Sequence, residues 1–144
     1  MAKVLVVDDD PDIRAVIMEA LRVAGHDVFS ATNGRDGVHQ ALAIQPDLII
    51  TDLFMPEQEG LETIRKLIRQ IPHVPILAIS GRSVASSSML TVALELGAVN
   101  VLEKPFDAMT LRAAAEATLE TRENRKPRAV LADQSAGSIL PEST

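Results

Sequence analysis

Five short apolar runs alternate with stretches of helical periodicity, and this alternation limits the chain to very few folds. Lys3 to Val7, Asp27 to Ala31, Leu48 to Thr51, Pro75 to Ile79 and Val99 to Leu102 read as strands, rich in β-branched and aliphatic residues. A strand that is apolar throughout needs cover on both faces. Parallel strands joined by right-handed helical crossovers provide it. Five strand–helix units are too few for a closed eight-stranded barrel. The expected class is α/β, an open doubly wound parallel sheet of five strands with five helices.

The helical stretches carry their own signals. Ile13, Val16, Ile17, Ala20, Leu21 and Ala24 fall on one face, with Asp10 placed to cap, Pro11 at the first position and Gly25 at the end. Asn33 can cap a second helix carrying Val38, Ala41 and Leu42, which stops before Pro46. A third helix is expected from about Glu59 to Gln70, a fourth from about Ala85 to Leu96, and a fifth from near Asp107 to about Glu123. From Arg125 onward no clear period survives. Residues 1–124 therefore read as one domain and 125–144 as a tail or linker stub.

In such a sheet, ligands bind beyond the carboxyl ends of the strands. Strand one ends in Asp8, Asp9 and Asp10, strand three in Asp52, strand four in Ser80, and strand five in Glu103 and Lys104. Asp10 and Asp12 are accounted for by capping and the helix dipole. Asp8, Asp9 and Asp52 are not. Two carboxylates ~4 Å apart repel by about 4 kcal/mol at an effective dielectric near 20. A hard divalent cation, with Lys104 and the Ser80 hydroxyl nearby, would relieve that repulsion.

Composition narrows the functional classes. The formal net charge is −6, which disfavours a general nucleic-acid or membrane surface. The basic group Arg122, Arg125, Lys126 and Arg128 suits the end of a helix. Cysteine is absent, so thiolate metal sites and disulfides are excluded. Phe29, Phe54 and Phe106 are the only aromatic residues, too few for a base-stacking platform. His26, His39 and His73 lack metal-ligand spacing and are expected to be solvated or locally bonded. No apolar run approaches the ~20 residues of a membrane span. MAKVLVV leads straight into acid, unlike a signal peptide. A cytoplasmic location is expected.

Four segments, VLVVDDDPDIR, PDLIITDLFMPEQEGLE, PILAISG and VLEKPF, together resemble the receiver domain of two-component response regulators. The resemblance spans about Ala2 to Glu123. It implies a flavodoxin-like sheet in the order 2-1-3-4-5 and a non-enzymatic phosphoprotein of two-component signal transduction and phosphorelay. Asp52 aligns with the phosphoacceptor. Asp8 and Asp9 align with the acidic pair that holds Mg2+ (Mn2+ as an alternative), Asp9 directly and Asp8 through water. The Phe54 backbone carbonyl aligns with a further metal ligand, Ser80 with the switch hydroxyl and Lys104 with the phosphoryl-pairing lysine. The Lys104–Pro105 bond is typically cis in this family. Val101 stands where an aromatic residue is common, so an aromatic rotamer switch is not expected. Phe54 and Arg82 flank the phosphoryl position.

The implied partners are a sensor histidine kinase or histidine phosphotransfer protein, and a downstream protein target or a second receiver. Direct nucleic-acid and membrane contacts are not expected. Leu90 and Leu94, with Val101, Ala114 and Ala117, form the expected partner face, against the plainer reading that Leu90 and Leu94 only cover helix three. A metal-dependent phosphohydrolase with an aspartyl-phosphate intermediate is the alternative function. That class expects an aspartate two residues after the nucleophile, where this chain has Phe54. A flavin-binding module on the same sheet would need a hydroxyl- or glycine-rich loop after strand one, where this chain has carboxylates.

Overall fold

The computed structural model describes residues 1–53, 59–81 and 84–135, with 59, 84–88 and 123–135 described along the backbone only. Strands and helices alternate as β1 (Lys3–Val7), α1 (Pro11–Val23), β2 (Asp27–Ala31), α2 (Gly34–Ile44), β3 (Leu48–Asp52), α3 (Glu59–Gln70), β4 (Ile76–Ser80), α4 (Val84–Leu96), β5 (Asn100–Glu103) and α5 (Ala108–Ser135). The strands pair in parallel in the order β2-β1-β3-β4-β5. The order reverses around β1, which opens a crevice between the carboxyl ends of β1 and β3.

The continuous apolar strands are explained by two cores. Val4, Val6, Leu48, Ile50, Leu77 and Ile79 point to one side and pack with Ile17, Ala20 and Leu21 of α1 and Leu111 and Ala115 of α5. Leu5, Val7, Ile49, Ile76 and Ala78 point to the other and pack with Ala41 of α2, Ile64 and Leu67 of α3 and Ala93 of α4. Burying each large aliphatic side chain contributes about 1.5–3 kcal/mol. Three positions expected on apolar helix faces are outward: Val16, Ala24 and Leu42 are exposed. The buried stripe of α1 is narrower than its apolar pattern, and Val16 lines an open groove between α1 and α5 instead.

Caps form as the sequence indicates. The Asp10 carboxylate accepts from the amides of Asp12 and Ile13, and Gly25, at φ +96°, takes the turn after α1. Asn33 accepts from the amide of Asp36, and Asp107 from that of Thr110. That last bond is the leading reason the Asp107 carboxyl lies below its ordinary value.

The fifth helix departs from expectation. It does not end near Glu123 but continues past Pro127 to Ser135. Proline removes one main-chain donor, at about 3 kcal/mol in a helix interior. The Ala- and Leu-bearing stretch behind it favours helix and carries it on. Residues 125–135 of the expected tail are therefore helical, and 136–144 lie outside the described residues. Where α5 leaves the sheet, Arg122 Nη2 pairs with Asp47 Oδ1 at 3.1 Å, and His26 Nε2 lies 3.1 Å from Glu116 Oε2. His26 Nδ1 faces the Ala2 amide, so this histidine is bonded on both ring nitrogens, to partners distant in the sequence. Among the described residues, no helix is long and apolar enough to cross a membrane.

Candidate functional site

Parallel pairing puts the polar strand ends at one level. Asp52, the last residue of β3, lies opposite Ile79, and Ser80, the last residue of β4, lies opposite Glu103. The ladder continues just past them, where the Leu53 amide donates to Ile79 O and the Lys104 amide to Ser80 O at 2.7 Å. Asp8 follows β1 directly, and its amide donates to Ala31 O. Four strands therefore set the heights of Asp8, Asp52, Ser80 and Lys104.

Carboxylate oxygens of Asp8, Asp9 and Asp52 all lie within 4.8 Å of one another. Asp8 and Asp52 are buried, while Asp9 is exposed. Lys104 Nζ stands 3.6 Å from Asp8 Oδ2 and 3.6 Å from Asp52 Oδ1. The Lys104–Pro105 peptide is cis. Ser80 Oγ is fully buried and, among the described residues, neither it nor Asp8 Oδ2 has a hydrogen-bond partner. Burial pushes the Asp8 carboxyl above its ordinary value, and the charges of Asp9 and Asp10 add to this. The Asp10 amide, which donates to Asp8 Oδ1 at 2.9 Å, and the Lys104 ammonium oppose it.

The donor set fits a hard dication. Three carboxylates against one ammonium leave two negative charges on the rim when all are ionised. A buried carboxylate oxygen without a hydrogen bond is costly unless a cation or water completes it. All ligand atoms are oxygens, which suits Mg2+.

Each expected site residue within the described residues can now be placed. Asp8, Asp9, Asp52, Ser80 and Lys104 stand at or just beyond the adjoining ends of β1, β3, β4 and β5. Phe54 and Arg82 lie outside the described residues. Asp10 is used in capping. Val101 and Leu90 are half-buried against the core on the α2–α3–α4 side, and Ala114 against the opposite core, while Leu94 and Ala117 are exposed.

Two residues near the site were not singled out by their local pattern. Arg14 Nη1 donates to the Asp8 carbonyl at 2.7 Å. Its signal is a cation one turn into the helix that follows the acidic run. Gly60 has the chain of Leu53 packed so closely that a Cβ would collide with the Leu53 Cα and carbonyl oxygen. The first turn of α3 therefore rests on the residue next to Asp52.

Comparison with known proteins identifies the family of this fold. Residues 4–116 match the family model described as the response regulator receiver domain. The chain is 40% identical over 119 residues to the KDP operon transcriptional regulatory protein KdpE of Escherichia coli, covering 83% of this chain and 52% of that protein. It is 32% identical over 139 residues to the alkaline phosphatase synthesis transcriptional regulatory protein PhoP of Bacillus subtilis, covering 96% of this chain and 57% of that protein. The chain thus spans about half the length of these curated relatives. The crystal structure of the receiver domain of NtrX from Brucella abortus superposes with a TM-score of 0.78 at 31% identity, covering 82% of this chain and 98% of that one.

Proposed function

This chain belongs to the response regulator receiver domain family, and from that premise we propose that it accepts a phosphoryl group on Asp52 from a phosphohistidine donor and switches a partner-binding face. The observation that carries this reading is Lys104 Nζ, 3.6 Å from both Asp8 Oδ2 and Asp52 Oδ1, beside three converging carboxylates. Nucleophile, counter-charge and cation ligands stand together on one rim.

The chemistry follows from the groups present. An Asp52 oxygen attacks phosphorus, a P–O bond forms, and the P–N bond to the donor imidazole breaks. The imidazole leaves with the electron pair, and the product is an acyl phosphate on Asp52. Positioning and electrostatics carry most of the catalysis of such transfers. Lys104, 3.6 Å from Asp52 Oδ1, would pair with a phosphoryl oxygen, and the buried Ser80 hydroxyl would donate to another. Asp8, Asp9, Asp52 and the Phe54 carbonyl would hold Mg2+ (or Mn2+), which supplies positive charge against the phosphoryl oxygens.

The switched surface is the face of α4, β5 and α5. Exposed Leu94 and Ala117 support it. A phosphoryl group that draws in the Ser80 hydroxyl shifts the population of this face, and a few kcal/mol of preference suffices. Residues 1–124 form the switching unit, with 125–144 a tail or linker stub. The partners are a sensor kinase or phosphotransfer protein upstream, and a protein target or second receiver downstream. The setting is the cytoplasm. Adding beryllofluoride and Mg2+ while recording amide NMR tests this reading. Shifts at Asp52, Ser80 and along α4 and β5 are expected. Shifts confined to the neighbourhood of Asp9 contradict the switch.

A further inference from the structure

Arg14 sits in the second turn of α1, and its Nη1 reaches back six residues to the main-chain carbonyl of Asp8 at 2.7 Å. Other bonds converge on the same short stretch. The Asp8 amide donates to Ala31 O at 3.2 Å, the Asp10 amide to Asp8 Oδ1 at 2.9 Å, and the Arg14 amide to Asp10 O at 3.0 Å. The first and last are ordinary main-chain bonds. Among these hydrogen bonds Arg14 contributes the cationic donor, to the Asp8 main chain, while Lys104 pairs with the Asp8 carboxylate at 3.6 Å; bonds to ionised groups are roughly twice as strong as neutral ones. Asp9 is held between these anchors, exposed, with its carboxylate in the triad.

We propose that Arg14 is a positioning residue for the acidic pair: its bond to the Asp8 carbonyl fixes the β1–α1 turn so that Asp9 and Asp8 face Asp52 before a cation arrives. The inference rests on the reading that this triad holds Mg2+. Without the bond, the turn must be ordered when the metal binds, against the mutual repulsion of three carboxylates. Groups that orient ligands in this way typically change metal affinity about 10- to 100-fold when removed.

The sign of the effect separates positioning from bulk charge. If Arg14 acted only through its positive charge, removing it would make the rim more negative and tighten Mg2+ binding. If it positions the turn, removing it weakens binding. Arg14→Met keeps the apolar stem and loses both donor and charge. Arg14→Lys keeps the charge and a donor.

The experiment is calorimetric titration of the whole chain with MgCl2, paired with amide hydrogen exchange at Asp9 and Asp10 in EDTA. In Arg14→Met, the Mg2+ Kd is expected to rise about ten-fold. Exchange at Asp10 should quicken in the metal-free protein, and Arg14→Lys should recover most of both effects. An Arg14→Met Kd that is equal to or tighter than wild type overturns the proposal. So does unchanged exchange in EDTA. A wild-type chain that takes up no Mg2+ overturns the metal reading itself, and the exchange comparison then still decides whether Arg14 holds the turn.

Discussion

Lys104 and Asp52, far apart in the sequence, meet with Nζ 3.6 Å from Oδ1, and the same ammonium stands 3.6 Å from Asp8 Oδ2. One cation bridging two buried carboxylates offsets part of their repulsion, yet leaves an excess of negative charge for a dication to neutralise. Lys104→Ala is expected to bind Mg2+ at least as tightly as wild type, because a competing positive charge is gone. It should uncouple phosphorylation from the response of α4 and β5. Titration calorimetry and amide NMR with beryllofluoride check the two halves separately.

Asp8 gives a pH dependence whose sign is fixed by its environment. Burial raises its carboxyl above the ordinary aspartate value of 3.8. The folded metal-free chain therefore holds this proton over a pH window in which the unfolded chain has released it. Stability from this group is greatest at low pH and falls as pH rises from 3.8 through the raised value. Asp8→Asn should melt higher than wild type at neutral pH in EDTA and lose this slope. Added Mg2+ should stabilise wild type more than the variant. Scanning calorimetry across pH, with and without Mg2+, measures both.

Two glycines should respond very differently to alanine. At Gly60 a Cβ would run into the Leu53 backbone, which has no side-chain freedom to yield. Gly60→Ala should cost about 1–3 kcal/mol or more, the range for overpacking, and should disturb Asp52 next door. At Gly25, φ is +96° and, among the described residues, nothing beyond its two chain neighbours lies within 4 Å of the place an added Cβ would take, so backbone strain is what opposes Ala, about 1–2 kcal/mol. Urea melts of both variants give the comparison, and only Gly60→Ala should also slow phosphorylation.

The α4 face separates packing from recognition. Leu90 packs against the core, whereas Leu94 is 46% exposed. Leu94→Ser should change stability by less than about 0.5 kcal/mol, as surface substitutions do. It should weaken binding of the phosphorylated chain to its target or to a second copy. Leu90→Ser should destabilise the fold. Melts and sedimentation of the beryllofluoride form distinguish the two.

Apolar pattern carried the fold. Strand positions were legible because each buried strand is a short apolar run, and helix positions because caps and periodicity coincide, as at Asp10, Pro11 and Gly25. Strands β3, β4 and β5 reach one polar residue further than their apolar runs. Main-chain pairing does not stop where side chains become polar, as the Leu53 and Lys104 amides show. That extension is what fixes Asp52 and Ser80 on the rim. The far end of α5 was less legible, because no clear apolar period survives from Arg125 onward, and the helix continues through Pro127 all the same. Arg14 to the Asp8 carbonyl, Arg122 to Asp47 and His26 to Glu116 depend on side-chain reach and tertiary approach, which no local period encodes. The site itself was readable because topology alone brings the ends of β1, β3, β4 and β5 to one edge.

The central claim is that Asp52 is the group that becomes phosphorylated, with a cation held by its neighbours. The direct measurement is intact-mass analysis after incubation with acetyl phosphate and Mg2+, followed by peptide mapping. The expected result is one added phosphoryl group, located on Asp52, absent in EDTA and absent in Asp52→Ala. A phosphoryl group that still appears on the Asp52→Ala chain, or no modification of wild type under these conditions, would contradict the account.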